Sequence, residues 1–189
     1  MKETIISILR ESADLKLQFA KDSCEIIEQA ANVIIKSLKS NGRIFLFGNG
    51  GSAADCQHLA SEFINKFNKE RRGLSAVALT TDSSVITSIA NDASFSEIFS
   101  RQIDALAIKG DLAIAITTSG KSPNVIEGLK KAKEIGLTTV AFTGKYIKKI
   151  SEFSDYIIQV PSSSTPRVQE IHITLGHIIC ELVEMEMFK

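Results

Sequence analysis

Apolar residues recur at helical spacing near the start of the chain: Ile5, Ile6 and Leu9, then Ile26, Ile27, Ala30, Val33 and Ile34. That period predicts helix over residues 3 to about 39, broken by Asn41-Gly42. Beyond the break the pattern changes to short apolar runs rich in β-branched residues or Phe, at 43–47, 76–79, 111–116, 138–142 and 156–160. These runs are continuous rather than alternating, as expected of strands covered on both faces. Helical patterns separate them at 53–63, at 84–90 with 97–107, at 123–135, and briefly near Lys148. Pro166 opens a last helix to about Met187, since proline suits a first helical turn. Strand and helix thus alternate, which predicts an α/β fold. The expected form is a three-layer α-β-α sandwich around a five-stranded parallel sheet, with extra N-terminal helices and a long C-terminal helix. No linker or repeat interrupts the pattern, so residues 1–189 are read as one domain.

Composition narrows the partners. Lys+Arg and Asp+Glu balance at 22 each, so no global field holds a polyanion, and no nucleic-acid partner is expected. Short basic runs such as Arg71-Arg72 and Lys148-Lys149 read as solvated surface. No apolar stretch is long enough to predict a membrane span. Glu3, Arg10, Glu11 and Asp14 stand where a leader peptide needs an uncharged stretch. Cys24, Cys56 and Cys180 are odd in number and lack CxxC spacing, so they read as reduced, buried thiols in a cytoplasmic protein.

In a parallel sheet the ligand sits beyond the carboxyl ends of the strands, at the loops that open the next helices. Two such loops are rich in glycine or hydroxyls. Gly48-Asn49-Gly50-Gly51-Ser52 follows the first strand, and Thr117-Thr118-Ser119-Gly120-Lys121-Ser122 follows the third. Bare backbone N–H groups at a helix start, with hydroxyls around them, suit a phosphate. Ser122 is also well placed as an N-cap before Pro123. Directly after the first loop, His58 and Glu62 lie four residues apart, on one face of the helix it opens. An anion cradle followed by acid/base or metal-binding side chains points to an enzyme acting on a small phosphorylated molecule.

Other motifs fit less well. Gly48-x-Gly50-x-x-Ala53 matches a dinucleotide fingerprint, but the nearest acidic residue after strand two, Asp82, lies further on than the usual ~20 residues. Gly120-Lys121-Ser122 imitates the end of a nucleotide P-loop, yet the first required glycine falls at Ala115, inside a strand. The chain has three histidines, His58, His172 and His177. His172 reads as lying on a different face of the last helix from the other candidates. Gln169 and His177 are two turns apart, a rise of roughly 12 Å, so they would have to converge to share a ligand. Asn91-Asp92, after an apolar helix, reads as a cap or a sugar-hydroxyl contact.

Five segments together resemble one known family: GNGGSAADCQHLASEF, IANDASFSEIFSRQI, TTSGKSPNVIEGLKKAKEIG, TVAFTG and RVQEIHITLGHIICELVE. They are similar to the phosphoheptose isomerases of the sugar isomerase (SIS) class, from about residue 3 to the end of the chain. The resemblance implies a flavodoxin-like or Rossmann-like sheet, a homotetramer in which residues 1–40 pack, and one zinc per subunit. It implies conversion of sedoheptulose 7-phosphate to D-glycero-D-manno-heptose 7-phosphate, the first step toward the heptose of lipopolysaccharide, capsule or surface-layer glycans. By resemblance the metal ligands are His58, Glu62, Gln169 and His177. Asn49, Gly50, Gly51, Ser52, Glu62, Asn91, Asp92, Thr117, Thr118, Ser119, Ser122 and Gln169 would contact substrate. Some relatives carry an acidic residue where this chain has Pro166, so no catalytic role is assigned there.

Interconverting a ketose and an aldose moves a proton between C1 and C2 through an enediol(ate), which needs a base and stabilisation of oxyanion charge. Glu62 is assigned as the base and His177 as the partner acid/base. Two competing readings come from other classes. Non-catalytic SIS relatives include a regulator that binds the replication initiator DnaA, but those relatives lack the carboxylate and the final histidine that match Glu62 and His177. A phosphosugar sensor would explain the loops and leave the acid/base pair without a role.

Overall fold

The computed structural model describes residues 1–189. A single helix α1 (Lys2–Lys39) precedes the alternating part, where the sequence reading expects more than one. Strands β1 (Ile44–Gly48), β2 (Ala76–Ala78), β3 (Leu112–Thr117), β4 (Thr138–Thr143) and β5 (Tyr156–Gln159) form one sheet in the order β2-β1-β3-β4-β5. Every neighbouring pair is parallel. Helices α2 (Gly51–Ile64), α3 (Ser83–Asp92), α4 (Ser100–Leu106), α5 (Pro123–Ile135) and α6 (Thr165–Met187) fill the two outer layers. The short helical pattern near Lys148 is one 3-10 turn, Ile150–Glu152.

Alternation along the central strands feeds two separate cores, which is why their runs are mostly apolar. Ile44, Leu46, Leu112, Ile114, Ile116, Val140 and Phe142 face the layer of α1, α2 and α6. Phe45, Phe47, Ala113, Ala115 and Ala141 face the layer of α4 and α5. The second face is rich in alanine because α5 approaches closely there: a Cβ added to Gly128 would run into the ring of Phe47. The buried face of α1 starts at Phe19, while Ile5, Leu9 and Leu17 before it are exposed. No helix is long and apolar enough to cross a membrane.

In this strand order the chain turns outward from β1 in both directions, so the switch point lies between β1 and β3. The two loops singled out by their glycines and hydroxyls follow these two strands. Asn49 and Asn124 tie them together, each side-chain amide donating to the other's oxygen at 2.8 Å.

Candidate functional site

Gly50 opens α2 with φ 56°, a left-handed conformation that glycine adopts without strain. No side chain caps this helix start. Gly51 is constrained differently: a Cβ there would overlap the amide of Gln169, which packs over the head of α2 from α6. Ser52 is buried, Asn49 half-buried, and Gly50 and Gly51 face solvent. In the β3 loop the Thr117 hydroxyl accepts the Gly120 N–H at 3.3 Å, and the Ser119 hydroxyl accepts the Lys121 N–H at 3.2 Å. Ser122 holds the N-cap position of α5, but its side chain makes no cap bond; Asn124 Oδ1 takes the Val125 N–H instead. Thr118 and Ser122 are half-buried and Ser119 is exposed, in the loop that follows β3 at the switch point.

One turn pair further along α2, the His58 and Glu62 side chains meet, with Nε2 and Oε1 3.1 Å apart. His177 of α6 joins them, its Nε2 3.3 Å from that of His58. One donor atom from each of the three lies within 4.8 Å of the others. Two imidazole nitrogens and a carboxylate oxygen, converging at a partly exposed point, suit a divalent transition ion. Phe67 closes one side of the cluster, its ring centroid 5.6 Å from that of His177. Burial raises the Asp55 carboxyl above its usual range, against the opposing pull of His58 and His177.

The two-turn separation of Gln169 and His177 now has a plain explanation. Gln169 packs on Gly51, Gly176 on Leu59, and His177 on His58, so α6 runs parallel to α2 at matched height. His177 therefore reaches His58 and Glu62 within one chain and needs no neighbouring copy to bring it. Gln169 of the same chain stands at the helix heads, a rise of roughly 12 Å away. Asn91 and Asp92 close α3 from inside its last turn and are exposed, with Asn91 Nδ2 donating to Asp92 Oδ1 at 2.7 Å. They act as neither of the two caps of α3, which are Asp82 and Ala93.

Residues that the sequence did not single out complete the surroundings. Asp55 lies one turn before His58, so the same helical spacing could have found it. Phe67 carries no such signal. Arg71, read above as solvated, has a side chain only 2% exposed, while Cys24, read above as buried, is exposed on α1. His172 is fully buried beside Phe142, on the sheet side of α6.

Residues 9–144 match the SIS domain family. The chain is 53% identical to a phosphoheptose isomerase of Aquifex aeolicus over 97% of its own length and 96% of that protein's. It is 49% identical to a phosphoheptose isomerase of Thermodesulfovibrio yellowstonii, over 100% of its length and 94% of that protein's. Among solved structures it superposes on the phosphoheptose isomerase GmhA from Neisseria gonorrhoeae with a TM-score of 0.91 at 40% identity, covering 97% of this chain and 98% of that one.

Proposed function

This chain belongs to the phosphoheptose isomerases of the SIS family, and we propose that it converts sedoheptulose 7-phosphate to D-glycero-D-manno-heptose 7-phosphate through an enediol(ate). The observation that carries this reading is the convergence of His58, Glu62 and His177 beside two hydroxyl- and glycine-lined loops at the switch point. The substrate phosphate lies in the β3 loop against Ser119 and Ser122, where the N-terminus of α5 favours an anion. Asn49, Gly50, Gly51, Ser52, Thr117, Thr118 and Gln169 line the sugar chain, with Asn91 and Asp92 at the rim. Glu62 meets His58 through Oε1, and its second oxygen moves the proton between C1 and C2. His177 exchanges protons with the sugar oxygens. Base and acid on opposing helices suit a reaction in which carbon and oxygen protons move in turn.

The donor set fits zinc, which His58, Glu62 and His177 would hold, with Gln169 as a fourth ligand supplied by a second copy of the chain, since Gln169 of the same chain packs at the head of α2. When bound, such an ion polarises the carbonyl and hydroxyl oxygens as a Lewis acid. Assembly as a homotetramer is supported by the exposed Ile5, Leu9 and Leu17 of α1 and by an apolar groove of about 510 Å³ between α1 and α6. The product feeds glycan heptose synthesis in the cytoplasm. A role as a replication regulator is disfavoured, because this chain keeps both Glu62 and His177.

The test is an isomerase assay on purified protein with sedoheptulose 7-phosphate, with and without chelator, alongside sedimentation velocity. Turnover that chelator abolishes and zinc restores is expected, from a species four chains in size. A folded, zinc-loaded protein that leaves the ketose unchanged would overturn the reading. Chelator-resistant turnover would remove the metal from it.

A further inference from the structure

Helix α2 ends at Ile64, just after Glu62, and the last turn of a helix leaves carbonyls without helical donors. Arg71 supplies the missing donors. Its Nη2 donates to the Glu62 carbonyl at 2.8 Å, and its Nη1 to the Phe63 carbonyl at 2.9 Å. Its Nε donates to Glu184 Oε1 on α6 at 2.7 Å. The Glu184 carboxylate also accepts the backbone N–H groups of Phe67, Asn68 and Lys69, at 2.9, 2.7 and 2.8 Å. Both side chains of the pair are 2% exposed.

This pair touches both halves of the catalytic cluster. Through Arg71 it grips the backbone of Glu62 itself. Through Glu184 it fixes the backbone of Phe67, whose ring lies against His177. It also joins α2 to α6, the two helices that bring base and acid together. Stability alone is a poor reason for such an arrangement, since a buried ion pair replaced by apolar side chains of similar volume is often no less stable. What an apolar pair could not reproduce is a rigid fork that holds two carbonyls and a carboxylate at once.

We infer that Arg71 and Glu184 are positioning residues, which set Glu62 on α2 against His177 on α6. The activity arm of the test rests on the isomerase reading above; the geometric arm does not. Arg71→Lys keeps the charge and loses the fork, Glu184→Gln keeps the shape and loses the charge, and Arg71→Met with Glu184→Leu removes the pair. Each variant is checked for folding by circular dichroism and melting, assayed for kcat and KM, and crystallised.

Arg71→Lys is expected to shift Glu62 relative to His177 and lower kcat by about 10- to 100-fold, because small misplacement of reacting groups is costly. KM should change little, since the phosphate loops lie at the other end of α2. The double variant should regain melting temperature lost in Glu184→Gln without regaining kcat. A folded variant with the cluster geometry unmoved overturns the proposal, as does full kcat in such a variant. If no variant folds, the pair is structural and the proposal falls. If the wild type does not isomerise sedoheptulose 7-phosphate, the functional reading fails and the crystal structures alone decide the role of the pair.

Discussion

The two ends of α2 are finished in opposite ways. At the head, Gly50 takes a positive φ, no side chain caps the first turn, and Gly50 and Gly51 are exposed. At the tail the carbonyls of the last turn are met from within the protein: Ser61 by the Asn65 N–H, Glu62 by Arg71, and Phe63 by both Arg71 and the Leu74 N–H. An open head leaves backbone donors and positive dipole beside the β3 loop, to which Asn49 and Asn124 tie it and in which the substrate phosphate is proposed to lie. A closed tail holds the helix turn that carries Glu62. On the proposed reading one helix separates affinity at one end from chemistry at the other, and the separation can be tested from either side.

The largest effect is expected at the tail. Glu62→Gln keeps the size of the side chain and removes its basicity, so kcat should fall about 10²–10⁴-fold, the usual cost of losing a general base. KM should move far less, because the phosphate loops are untouched. Steady-state kinetics on sedoheptulose 7-phosphate decides it. Near-normal turnover would take Glu62 out of the mechanism and leave the closed tail without a catalytic purpose.

Changes near the head should show the reverse split. Ser119→Ala together with Ser122→Ala removes two hydroxyls from the β3 loop, each worth about 1.5–3 kcal/mol if it bonds a charged phosphate. KM should then rise by roughly 100-fold or more while kcat stays close to wild type, since such contacts serve ground and transition states alike. An unchanged KM in a folded protein would place the phosphate elsewhere. A kcat that falls in step with the Glu62 variant would dissolve the distinction between the two ends.

How much of this can be read in the chain depends on how local each feature is. The central strands are legible because both faces of the sheet are buried there, which leaves β1 and nearly all of β3 apolar without alternation. His58 and Glu62 are legible because one helix turn pairs them. His177 is legible only through the family resemblance, since its place beside His58 follows from the parallel packing of α2 and α6, and no spacing along α6 alone reveals that. Arg71 misleads for the same reason. Beside Arg72 and Glu70 it has the look of a solvated charge run, and only the arrival of Glu184 from a distant helix shows it to be buried. The hydroxyl of Ser122 misleads on a smaller scale, because Asn124 takes over the capping bond expected of it.

The smallest effect is invisible at neutral pH and concerns α6, the helix against which α2 is set. His172 is fully buried beside Phe142, and burial, against the smaller opposing pull of the Thr143 backbone, holds its pKa down to about 4. In the folded protein the ring therefore stays neutral as pH falls below 6.5, while the unfolded chain takes up a proton. Unfolding is favoured progressively from pH 6.5 down to about 4, by at most about 3 kcal/mol. Glu184 behaves differently. Burial alone would raise it, but the N–H groups of Phe67, Asn68 and Lys69 and the Arg71 guanidinium hold it at about 2. A depressed acid gives its stability in full above its unfolded value of 4.5 and loses it only as pH falls from there toward 2. Acid should thus loosen the middle of α6 before it reaches the clamp at the tail of α2. Urea unfolding across pH 7 to 3 checks the order: His172→Phe should flatten the slope between 6.5 and 4 relative to wild type. The deficit of Glu184→Gln should stay constant down to 4.5 and shrink below it. A His172→Phe profile parallel to wild type would mean that the imidazole finds a charged or solvated state within the fold. The tail would then no longer be the last part of the helix pair to yield to acid.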